Sequence, residues 1–131
     1  MKAGQASKAV CELSDVELTS AVADLSRSAR EVTASLVGHL VEFENRRLHL
    51  AAGYNSLFLY CVQVLRLSEH EAYNRIEAAR VARKHPAILD MLARGDLNLT
   101  SVRLLAPHLT DANHLVLLRE AAGKSKRQVL E

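Results

Sequence analysis

Tyr73, Glu77, Arg80 and Lys84 fall on one face of a helix predicted over Glu69 to about Lys84, with Asn74 at the edge of that face. These residue types suit contact with a polyanion. Arg80 and Lys84 match phosphate oxygens, the Asn74 amide matches a base edge, and Tyr73 can stack or hydrogen-bond. A second basic cluster, Lys124, Lys126 and Arg127, stands where a further helix is predicted to begin. Cations sit poorly at the positive end of a helix dipole, so a neighbouring anion would relieve them. The plain alternative is a solvated face with internal ion pairs. Glu71 precedes Arg75 by four residues, the favourable order for such a pair, and Arg83 projects towards the apolar stripe. Glu69 and Glu71, at the end of the helix that would read bases, repel phosphates.

Bond-making chemistry finds no support. His39, His49, His70, His85, His108 and His114 pair neither with one another nor with a cysteine at metal-ligand spacing. There is no HExxH, no GxSxG nucleophile elbow and no glycine-rich phosphate loop. His70 and His114 read as ordinary surface residues. The two cysteines form no CxxC: Cys11 lies in a polar leader and Cys61 in an apolar run. The expectation is a chain with no catalytic residues, no metal site and no cofactor.

The elements that would position the cationic face are helices. Ser14-Asp15-Val16-Glu17 and Ser68-Glu69-His70-Glu71 have the capping-box pattern, in which Ser and Glu each satisfy an orphan amide of the first turn. A further box at Ser28 to Glu31 marks a kink or a new start, so the segment from Ser14 to about Leu50 is one kinked helix or two, with Gly53 past its end. Ser56 caps a short helix to about Leu65 that is apolar nearly all round and therefore expected to be central. The helix from Glu69 has Ala72, Ile76 and Ala79 as its core stripe, and its alanines permit close helix packing. Pro86 opens another helix that stops at Gly95. Leu97 to Leu99 reads as an extended link, Thr100 as the cap of a short helix, and Thr110 as the cap of one ending at Gly123. The segment Ser56–Lys84 follows the helix-turn-helix plan of brace, turn and reading helix. A plain helical hairpin follows it equally, and the turn carries Arg66 where glycine would ease a left-handed backbone.

The fold class predicted is all-α, a multi-helix bundle containing a helix-turn-helix-like unit. Its parts are a disordered leader over 1–13, a helical segment over 14–52, a helix-turn-helix-like domain over 53–124, and over 125–131 the start of a helix that the chain does not complete. Composition agrees: 49 % of residues are apolar, aromatics are only 4 %, and five Gly and two Pro are too few for a sandwich of short strands. The net charge of +2 divides as −1 over residues 1–50 and +3 over 51–131, which permits a nucleic-acid surface without demanding one. No apolar run has the length of a membrane span, and Met1 to Val10 lacks the core of a signal peptide, so the expected compartment is the cytoplasm.

The stretch RRLHLAAGYNSLFLYCVQVLRLSEHEAYNRIEAARVARKHPAILDMLARGDLNLTSVRLLAPHLT, Arg46 to Thr110, resembles the N-terminal helical region of bacterial HNH endonuclease-type proteins. Its most specific pieces are Gly53 to Phe58, Leu67 to Tyr73 and Gly95 to Thr100. Leu67–Leu105 is also similar to the helix-turn-helix core of ParB-type partition proteins. The stretch Ser68–Pro86 is about one turn longer here than in that core, and Ala72 stands where valine is usual. The resemblance implies a non-catalytic, DNA-binding accessory module, with hydrolysis performed by an HNH nuclease domain further along the full-length protein; no nuclease residue transfers to this chain. The partner implied is DNA. The alternative is a protein–protein or self-association module, with a homodimer formed through residues 14–50. An exposed apolar seam through Leu36, Leu40 and Phe43 would favour it.

Overall fold

The computed structural model describes residues 9–123, and every regular element among them is helical. Seven α-helices follow in order: α1 Asp15–Asn45, α2 Leu48–Ala51, α3 Leu57–Gln63, α4 Glu69–Lys84, α5 Ala87–Arg94, α6 Leu99–Leu105 and α7 His114–Ala121. Single 3-10 turns occupy Val10–Glu12 and Ala106–His108. None of these helices is long and apolar enough to cross a membrane.

The start of α1 is the predicted capping box: Ser14 Oγ accepts from the Glu17 amide at 3.1 Å, and Glu17 accepts from the Ser14 amide at 2.9 Å. The helix then runs 31 residues without interruption. The Ser28 box therefore starts nothing, because its hydroxyl lies in mid-helix where the backbone amides already have partners. The predicted end near Leu50 is also corrected. The chain leaves the helix after Asn45, and Arg47 takes a left-handed φ of 53° that reverses it into α2. Gly53, with φ 94°, closes α2 instead.

At the centre lies α4, which touches α1, α3, α5 and α6. Ala72, Ala78, Ala79 and Ala82 are buried with Ile76 and Val81, so small side chains bring the neighbouring backbones close. The second half of α1 covers α4 and α5 with Ala34, Val37 and Leu40. The predicted central place of α3 is not found. Only Leu57 and Cys61 of that helix are buried, and Leu59 is exposed. Its other face carries an aromatic cluster, with Tyr60 4.9 Å from Phe43 and edge-on to Tyr54 at 5.6 Å. The turn from α3 to α4 does pass through a left-handed residue, Arg66, at φ 64°.

Two caps differ from expectation. Asn98, not Thr100, caps α6. Its Oδ1 accepts from the Ser101 amide at 2.8 Å while Ser101 Oγ accepts from the Asn98 amide at 2.9 Å. The apparent strand-like link is thus the approach to a helix that starts two residues earlier. Thr110 exchanges bonds with Asn113, at 2.7 and 3.1 Å, in the turn that leads into α7. Gly95 ends α5 as predicted, at φ 87°.

Candidate functional site

The predicted DNA face rests on the one edge of α4 that its neighbours leave open. Tyr73 and Arg80 are about half exposed there, and Lys84 is exposed beside them. Asn74 is not with them. It is buried, and its Nδ2 donates to His70 Nε2 at 3.0 Å. Arg80 reaches Glu44 of α1 at 3.3 Å and Glu77 at 3.4 Å. Arg83 does not lie along the apolar stripe; it makes a short ion pair with the other oxygen of Glu44. A carboxylate at the negative end of α1 is poorly placed for the helix dipole, and two guanidinium groups from α4 offset that. The same pairs take up much of the positive charge the sequence offered to phosphates. Arg75 donates to the Glu71 carbonyl at 3.3 Å rather than to its carboxylate. That carboxylate is held by Ser68, whose hydrogen bonds keep it below the usual range. Lys124, Lys126 and Arg127 lie outside the described residues.

A different surface stands out on α1. Leu18, Val22, Leu25, Ala29, Val32 and Leu36 recur at alternating steps of four and three, a heptad seam along one side of the helix. Leu18 is 39 % exposed, Val22 60 %, Leu25 69 % and Val32 67 %. The positions flanking the seam, Thr19, Ala21, Ser26, Ser28, Thr33 and Ser35, are small and uncharged. Charges on this stretch, such as Glu17, Asp24, Arg27 and Glu31, stand elsewhere on the wheel. The seam through Leu36, Leu40 and Phe43, whose exposure would have favoured association, is not exposed; the exposed row from Leu18 to Val32 lies nearer the N-terminus. Leu40 is buried, and Leu36 and Phe43 pack partly against the core. The four–three spacing from Leu18 to Val32 was the signal that could have located it.

Among the described residues no group of three or more His, Cys, Asp or Glu could hold a metal ion. Burial, with the Glu44 charge adding to it, pushes the Cys61 thiol up, so it is an inert core group. Cys11 is exposed. His114, read as a surface residue, instead stacks on the buried His85 with ring centroids 4.6 Å apart. Burial first, then His114, holds the His85 imidazole below its ordinary value; Asp111 pulls the other way and Lys84 adds slightly to the depression. The folded chain therefore binds this proton less readily than the unfolded chain, whose histidine titrates near pH ~6.5. Stability is complete above that pH and falls as pH drops from there towards the depressed value. The expected result is a melting temperature that declines as pH falls below about 6.5, with a smaller decline in His85→Phe. Equal declines in both chains would contradict it.

Comparison with known proteins finds no match to this chain: no family model, no curated protein and no solved structure.

Proposed function

We propose that this chain is a non-catalytic helical module whose work is to pair two copies of the protein that carries it, through the seam Leu18–Leu36 of α1. The observation that supports the reading is the exposure of Leu18, Val22, Leu25 and Val32, four members of one heptad row on α1. Scattered apolar residues on a surface are ordinary; a repeating row of them on one helix side is the pattern of a helix partner. The partner of choice is a second copy. Every position that would face it between Leu18 and Leu36 is uncharged, so the seam meets its own image across a two-fold axis without like-charge contact. Fewer than three heptads, set against the entropy of association, correspond to a dissociation constant on the order of micromolar. The sequence resemblance to HNH endonuclease-type proteins supports a reading in which this pairing serves a DNA-handling protein, since two-fold symmetry would match that of a duplex site. Amide spectra recorded over a dilution series test the reading: concentration-dependent shifts should concentrate on residues 18–36. Shifts spread evenly, or none, would count against it.

DNA contact by α4 is a second reading. The order α3, turn, α4 supports it, as do exposed Tyr73 and Lys84, the latter without an ion pair among the described residues. On this reading Lys84 and Arg80 touch phosphates, and Arg80→Ala/Lys84→Ala reduces the log–log salt slope of DNA binding by about two. Anisotropy titrations with an unchanged slope and affinity would remove α4 from any such interface.

A further inference from the structure

Between the middle of α1, α4 and the turn into α6 lies a cavity of about 430 Å³. That volume is in the range of small-molecule sites, on the order of 300–1,000 Å³. Leu92, Leu97 and Leu99 supply an apolar wall, and Arg30 and Asn74 are the polar groups that matter. Both are short of partners. Asn74 is only 7 % exposed; its Nδ2 is used by His70, and its Oδ1 is buried with no hydrogen bond. Arg30 has no ion pair among the described residues. One terminal nitrogen donates to Ser26 Oγ at 3.3 Å, and its Nε is buried without a partner. Arg80 and Arg83, which line cavities elsewhere on the chain, both pair with Glu44. The walls around Arg30 hold no acidic residue.

The position of Arg30 is built in. Gly95, at the end of α5, lies directly against its guanidinium, and a Cβ there would come within 2.8 Å of Nε. Glycine at this point therefore serves two ends. It adopts the left-handed φ that terminates α5, and it leaves room for the cation beside the cavity.

An unpaired cation, an unpaired acceptor and an apolar wall around one cavity describe a ligand. We propose that this cavity binds a small aliphatic carboxylate that also carries an amide N–H, the chemistry of an N-acyl amino acid or of a peptide C-terminus. The carboxylate pairs with the terminal nitrogens of Arg30. The amide N–H donates to Asn74 Oδ1, and the aliphatic group lies on Leu92, Leu97 and Leu99. Ser26, Ala29 and Thr33, which belong to or flank the α1 seam, also line the cavity, so the ligand comparisons are made at one fixed protein concentration, where pairing contributes equally to each.

The test is an amide-resolved titration of the full chain with N-acetyl-L-leucine. Saturable shifts are expected at Thr33, at Leu97–Thr100 and in the Asn74 side-chain amide. Loss of a charged hydrogen bond weakens binding about tenfold or more, so N-acetyl-L-leucine amide, which lacks the carboxylate, should bind at least that much more weakly. Arg30→Gln should lose the same factor with N-acetyl-L-leucine. Isocaproate, which lacks the amide, should also bind more weakly than N-acetyl-L-leucine. Because two of these comparisons change the ligand and not the protein, they hold even if Arg30→Gln misfolds. Equal binding of acid and amide, or no saturable shift with the acid, would overturn the proposal; equal binding of isocaproate would overturn the part given to Asn74. A short peptide ending in leucine, bound more tightly than N-acetyl-L-leucine, would identify the source as a peptide C-terminus.

Discussion

Leu25→Glu is expected to abolish pairing while leaving the fold of each copy unchanged. Leu25 is 69 % exposed in the single chain, and surface substitutions of this kind change stability by no more than about 0.5 kcal/mol. In the pair the same position faces the other helix. Two carboxylates then enter an apolar seam with no cation at any flanking position to meet them. Burying an unpaired charge costs several kcal/mol, which is a loss of at least about a hundredfold in association. Leu25→Met keeps volume and hydrophobicity and should retain pairing. Sedimentation velocity separates the cases: Leu25→Glu runs as a single chain where the native protein does not, and both melt at the same temperature. A Leu25→Glu chain that pairs like the native one would exclude the seam.

The largest effect on stability is expected at Ile88. It is fully buried on α5, and α5 is the helix against which the second half of α1 packs most extensively. Ile88→Ala removes three carbons from a site walled by helices that cannot close in without moving their own neighbours. Such substitutions cost about 2–5 kcal/mol. For a domain of this size that lowers the melting temperature by roughly 10 °C or more. Thermal unfolding followed by circular dichroism gives the answer, and a shift of only a degree or two would show that α1 and α5 repack freely.

The two predictions draw on different amounts of sequence information. Features set by a few neighbouring residues could be read directly. Ser14 with Glu17 and Ser68 with Glu71 form the reciprocal bonds their spacing implies, and Gly95 stops α5. Features set by what lies across the fold could not. Ser28 has the residues of a helix start but sits in a helix sustained from both sides. Asn74 has the type of a base-reading residue, yet α4 is enclosed by four helices and turns it inwards. Arg80 and Arg83 look free until Glu44, more than thirty positions earlier, is brought between them. The apolar residues of α1 show the converse. Their spacing announces a helix face, but only the packing of α4 and α5 against its second half shows which part of that face stays open. The cavity beside Arg30 is legible in no local pattern, since its walls come from α1, α4, α5 and the turn into α6.

Sedimentation equilibrium of the native chain, over loadings from about one to a few hundred micromolar so as to bracket a micromolar dissociation constant, tests the pairing of α1 most directly. The single chain has a mass of 14.4 kDa. The account predicts an apparent mass that rises with loading towards twice that value and no further, since a two-fold seam closes on itself. A mass that stays at 14.4 kDa throughout, or one that climbs without limit, would contradict it.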